Sequence, residues 1–176
     1  MTWKGPGIQD GHYADDFNID FPPAGLPDGA TSWTQPPVSM QNQTIGGTNY
    51  AWAFQNAYNN YILNGFTKAI YVGTNATVNL YVTGNVKISG KERILIQPGG
   101  KLTIYMAGSS FDLGGGGIVN MNNSPLNFSY FGLPRNTEIK MGGSSSFYGS
   151  IYAPQADLTM GGGGDFFGAC VVETAV

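Results

Sequence analysis

Residues 80–113 read LYVTGNVKISGKERILIQPGGKLTIYMAGSSFDL, and the spacing of the short apolar runs inside this stretch decides the fold. Leu80-Tyr81-Val82, Val86-Lys87-Ile88 and Ile94-Leu95-Ile96 are three strand-like runs, after which Ile104-Tyr105-Met106 and Phe111-Asp112-Leu113 begin the series again. Working outward, Phe128-Ser129-Tyr130 and Ile151-Tyr152-Ala153 continue the first set. Ile139-Lys140-Met141 and Leu158-Thr159-Met160 continue the second, and Ile118-Val119-Asn120, Phe147-Tyr148 and Phe166-Phe167 the third. Gly84, Gly108 and Gly132 mark a period of 24 residues. Three short strands per period, with glycine clusters at 99–100, 114–117, 142–143 and 161–164 for corners, indicate a stacked solenoid. Leucine-rich and helical repeats lack support in the residue types, and a propeller blade needs a longer unit. The reading is an all-β chain: a short right-handed parallel β-helix, three-sided, of about four to five coils.

Composition agrees. Gly contributes 27 and Pro 10 of the 176 residues, and only 11% are charged. Each mid-helix glycine costs roughly 1 kcal/mol against alanine, which argues against a helical protein. Residues 1–66 carry one Lys and five Asp, and residues 67–176 seven bases and six acids. Neither part has the basic surplus that a phosphate backbone requires, so nucleic acid is not an expected partner. A single cysteine, Cys170, excludes an internal disulfide. Low charge with abundant Asn, Ser, Thr and Gly suits an exported surface protein, of which this chain is expected to be a soluble part with no membrane contact of its own.

Three regions follow in one domain. Residues 1–47 are Pro-rich and read as irregular, with Asp16–Phe21 extended. Residues 48–66 read as one flanking helix, because Tyr50, Phe54, Ala57, Tyr58, Tyr61 and Ile62 recur at three and four residues before Gly65. Residues 67–176 form the β-helix. Its period of two places Leu80, Ile104, Phe128 and Ile151 in one inward ladder beside Val82, Met106, Tyr130 and Ala153. Val86, Phe111, Ile139 and Leu158, with Ile88, Leu113, Met141 and Met160, fill the second side. Outward rows are then Tyr81, Tyr105, Ser129, Tyr152 and Lys87, Asp112, Lys140, Thr159. Leu133–Thr137 reads as a corner insertion.

The segment from Ala69 to Cys170 resembles the C-terminal glycine-rich domain of PilX-type pilus assembly proteins and related bacterial surface proteins. The matching text is Leu80–Val86, Gln97–Tyr105, Phe147-Tyr148-Gly149-Ser150-Ile151-Tyr152-Ala153-Pro154 and Gly164-Asp165-Phe166-Phe167-Gly168-Ala169. The resemblance implies a non-enzymatic structural or adhesive role at the cell surface, with an upstream pilin-like membrane helix and a further strand region in the whole protein. It implies partners among other pilus or surface subunits, and it carries no catalytic residues to transfer.

Candidate chemistry is sparse, and no cofactor motif is read. Asp15, Asp16 and Asp20 surround a D-x-N-x-D opening, but Phe21 and Pro27 stand where a calcium loop needs Gly and Glu. Glu138 and Asp157 are expected on adjacent coils, with Lys87 and Lys140 holding them ionised rather than splitting them into acid and base. His12 stands alone. Cys170, in an apolar run, is expected to be a small buried side chain. The glycine runs lack the Lys-Ser/Thr of a phosphate loop. What remains is a surface: Tyr81, Tyr105 and Tyr152, with Lys87, Asp112 and Lys140, could meet a protein partner or a glycan, unless the N-terminal segment covers the tyrosines. A carbohydrate-binding or carbohydrate-active β-helix is the alternative function. The final coil, with open strand edges, is expected to drive self-association or to be shielded by the N-terminal segment.

Overall fold

The computed structural model describes residues 20–143 and 146–176. It is a parallel β-solenoid of about six turns, with 52% of the described residues in strands and almost no helix among them. The first stack contains β2 (Thr48–Phe54), β4 (Ile70–Val72), β7 (Ile94–Ile96) and β10 (Ile118–Asn120). The second contains β3 (Tyr58–Leu63), β5 (Thr77–Val82), β8 (Lys101–Met106) and β11 (Phe128–Gly132). The third contains β6 (Val86–Ile88), β9 (Ser110–Leu113) and β12 (Glu138–Met141). β13 (Phe147–Met160) is long enough to serve two stacks, pairing with β11 at one end and β12 at the other, and β14 (Phe166–Ala175) pairs along it. At the opposite end β1 (Gln41–Ile45) pairs antiparallel with β2 through a Gly46-Gly47 turn in which both residues have positive φ, closing the first edge of the stack.

The second and third stacks hold the core. Val86, Phe111, Ile139 and Leu158 occupy one register position, and Ile88, Leu113, Met141 and Met160 the next, as the alternation required. All but Met160 are buried. Stack two keeps the expected inward parity but shifts register at β11. Tyr130, not Phe128, lies between Ile104 and Ile151, while Phe128 lies on Leu102. The cause is the 3₁₀ turn Pro125–Asn127, which lengthens the connection from β10, so the 24-residue period runs two residues ahead of the structural repeat. The outward row is therefore Tyr81, Tyr105, Phe131 and Tyr152, without Ser129.

The expected helix over 48–66 is a pair of strands, and the solenoid begins there rather than at residue 67. Thr48–Phe54 and Tyr58–Leu63 are two strands separated by a bend at 55–57. The phase jump at that corner imitates helical spacing. Pairing with β4 and β5 satisfies backbone groups that an isolated helix would satisfy internally, and it buries Phe54 and Leu63. This extra turn, with the full-length β14, raises the count above four to five. Within the region read as irregular, residues 41–45 are a strand, and residues 20–40 hold only two short 3₁₀ turns. Phe147-Tyr148 and Phe166-Phe167 join stack two instead of stack one, so among the described residues stack one ends at β10.

Glycine is required where stack three returns to stack one. Gly90, Gly115, Gly143 and Gly162 all have positive φ and lie on one another. A Cβ on Gly115 would collide with the carbonyl oxygen of Gly90, and one on Gly162 with that of Gly143. Asn side chains fasten another corner: Asn122 Oδ1 accepts from the Gly99 N–H at 2.6 Å, and its Nδ2 donates to the Gln97 and Gly100 carbonyls at 3.2 Å.

Candidate functional site

The outward aromatic row is covered in part. Residues 20–40 cross stack two as a strap: the Thr34 carbonyl accepts from the Ile62 N–H, Trp33 meets Tyr105 edge-on at 6.2 Å, and the Tyr152 hydroxyl donates to the Pro22 carbonyl at 2.6 Å. Tyr105 stacks on Phe131 at 5.2 Å, and burial raises its hydroxyl pKa. Tyr81 lies between Ile62 and Tyr105 in the same row, half-buried. The row works mainly as the seat of the strap, and Trp33 and Phe131 are the partners that sequence reasoning missed.

The charged row stands as expected in register, with Lys87, Asp112, Lys140 and Thr159 side by side on stack three. Glu138 and Asp157 are direct neighbours. Lys140 Nζ lies 2.7 Å from Glu138 Oε1, and that hydrogen bond, helped by the Coulombic field of Glu138, raises the Lys140 pKa. The Thr174 hydroxyl donates to Asp157. Both carboxylates are exposed, Glu138 paired with Lys140 and Asp157 accepting from Thr174. Asp20 is exposed, whereas Asp15, Asp16 and His12 lie outside the described residues. Among the described residues no group of three or more His, Cys, Asp or Glu is placed to hold a metal ion, and no helix is long and apolar enough to cross a membrane.

Cys170 corrects the sequence reading. It takes the inward register position beside Ile151, but no strand of the described residues lies beyond β14, and the side chain is exposed. Partial desolvation against β13 still raises its thiol pKa, which disfavours the thiolate.

A further site has no counterpart in the sequence reading. The β1–β2 hairpin curls over the outer side of stack one, where Tyr50 packs with Leu95, Ala69 and, ring to ring at 5.3 Å, Tyr71. Its tip, Gly47–Asn49, faces the corners formed by Gly90–Arg93 and Gly115–Gly116 across an open cleft of about 720 Å³. A second lobe of about 400 Å³ continues past Asn49 and Glu92 to Asn42 and Lys68. Glu92 is fixed at the junction: its Oε2 accepts from the Ala69 N–H at 2.7 Å, and Oε1 lies 3.6 Å from Lys68 Nζ. Arg93 Nε is buried with no hydrogen-bond partner among the described residues, and Lys91 is exposed. The signal available in the sequence was the run Lys91-Glu92-Arg93, dense in charge for a chain that is 11% charged.

No curated protein and no solved structure matches the chain. A family model does, over residues 68–176, which run from the start of the second turn to the end of β14. Since that match covers well over half of the sequence, the chain belongs to the family described as a domain of unknown function, DUF7305.

Proposed function

We propose that the protein is a non-enzymatic structural or adhesion module of a bacterial pilus-like or cell-surface assembly. The observation that carries this reading is the open end of the stack. β14 offers ten residues of strand with its outer edge unpaired among the described residues, and its inward positions Gly168 and Cys170 are exposed, while β1 and the strap close the other end. Such an edge accepts a further strand, and one supplied by another surface subunit or a second copy of this chain would carry backbone hydrogen bonds from one unit to the next. The resemblance of the FYGSIYAP and GDFFGA segments to PilX-type surface domains supports the same role.

The test is location. Antibody raised against this chain should label intact cells of the source organism, and mild shearing should release the antigen with surface appendages. Antigen confined to the cytosol overturns the reading. Polysaccharide turnover lost in Glu138→Gln or Asp157→Asn would establish the carbohydrate-active alternative instead.

A further inference from the structure

The cleft under the hairpin tip deepens that reading by naming a ligand: we propose that it binds an acidic polysaccharide, a chain of carboxylate-bearing sugars, with Lys91 and Arg93 as its anion contacts. Three of the eight basic residues in a chain of net charge −3 converge on these two adjoining lobes. The one acid among them, Glu92, is occupied by the Ala69 N–H and by Lys68. Lys91 and Arg93 have no carboxylate within ion-pair distance among the described residues. A cation concentration of this kind, on the rim of a concave surface, attracts and orients an anionic partner.

The shape and the remaining lining select the class. Each lobe lies within the range of about 300–1,000 Å³ usual for ligand sites. The cleft is open to solvent, as access by a polymer requires. Gly47 and Gly90 border empty space, since a Cβ on either would meet nothing within 4 Å. Thr48 and Asn49 offer a hydroxyl and an amide, groups that exchange hydrogen bonds with sugar hydroxyls in both directions. The guanidinium fork of Arg93 matches a carboxylate bidentately. Lys91 and Arg93, two positions apart, supply the counter-charge in the first lobe, while Lys68 in the second is held by Glu92. A lipid surface fits less well, because the cleft rim presents no large exposed apolar side chain.

Titration calorimetry of the whole chain with hexagalacturonate tests the proposal. The expected result is saturable binding that weakens in high salt. Lys91→Glu should weaken it roughly tenfold or more, as should Arg93→Gln, whereas Lys140→Ala on stack three should leave it unchanged. Lys91 is exposed, so its variant keeps the fold, and an unaltered urea midpoint verifies that. Four results would overturn the proposal: no binding at millimolar oligomer, equal binding of the methyl-esterified oligomer, indifference to Lys91→Glu, or tighter binding to anionic phospholipid vesicles than to the sugar. None of these alters the outcome of the surface-labelling experiment, so the two readings fail separately.

Discussion

Replacing Asn136 by alanine should be among the most costly single polar deletions in this protein. Asn136 sits in the turn after β11, almost fully buried, and its Oδ1 accepts from the hydroxyl of Tyr130 at 2.7 Å. Its Nδ2 donates to the Gly108 carbonyl at 3.2 Å and, more weakly, to that of Ser109 at 3.4 Å. Gly132 makes the arrangement possible, because a Cβ there would stand 2.7 Å from Asn136 Oδ1. Asn136→Ala strands a phenol in the core and leaves the Gly108 carbonyl without this donor. At about 1–3 kcal/mol for each of these two unsatisfied buried groups, the loss is about 2–6 kcal/mol. Tyr130→Phe strands only the Asn136 oxygen and should cost about 1–2 kcal/mol. The double variant removes both members of the pair, so its cost should fall short of the sum by about 1–2 kcal/mol. Urea unfolding of the four proteins at one temperature gives all three numbers. Additivity within about 0.5 kcal/mol would refute the argument, since it would mean that water, not Asn136, serves the Tyr130 hydroxyl.

The same hydroxyl makes stability pH-dependent. Burial raises its pKa well above the ordinary value, so the folded chain holds this proton more tightly than the unfolded one. The contribution is complete below pH 10 and declines as pH rises towards the folded value; alkaline denaturation monitored at 295 nm should show the loss, and Tyr130→Phe should abolish that component. Leu113→Asp, buried between Ile88 and Met141, should cost several kcal/mol or prevent folding, whereas the outward neighbour Asp112→Ala should change stability by at most about 1 kcal/mol; equal effects would contradict the strand parity. Cys170 should react completely with a maleimide in the native state, at a rate that keeps rising above the pH at which an unperturbed thiol levels off. Sedimentation of the chain should show concentration-dependent association through β14; a monomer at high concentration, with residues 169–176 exchanging amide hydrogens freely, would exclude it.

Most of the solenoid was legible because its determinants are local. Val86, Phe111, Ile139 and Leu158 each sit in a two-residue alternation next to a glycine-marked corner, so parity and stacking could be read together. Register failed at Phe128, where Pro125–Asn127 changes the length of a turn without changing the parity of the strand that follows. The first turn failed for a different reason. A corner between Phe54 and Tyr58 shifts the phase of the alternation, and only pairing with Ile70–Val72 and Thr77–Val82 distinguishes that shift from a helix. The cleft was invisible to periodicity because its walls, Gly47–Asn49 and Gly90–Arg93, are far apart in sequence and meet only when the hairpin folds back over Leu95.

The strap has a consequence for the order in which the molecule can be completed. Pro22 and Tyr152, joined by one hydrogen bond, are 130 residues apart in the chain. During synthesis at about 5–20 residues per second, the N-terminal segment emerges roughly six to twenty-six seconds before its last seat exists. In the interval the turns can assemble one upon the next, each on a predecessor already made, while Tyr105 and Phe131 stay uncovered. A segment made well before the fifth turn is thus among the last to find its place. Its arrival converts a stack that could fray one turn at a time into a unit whose first and fifth turns are tied together.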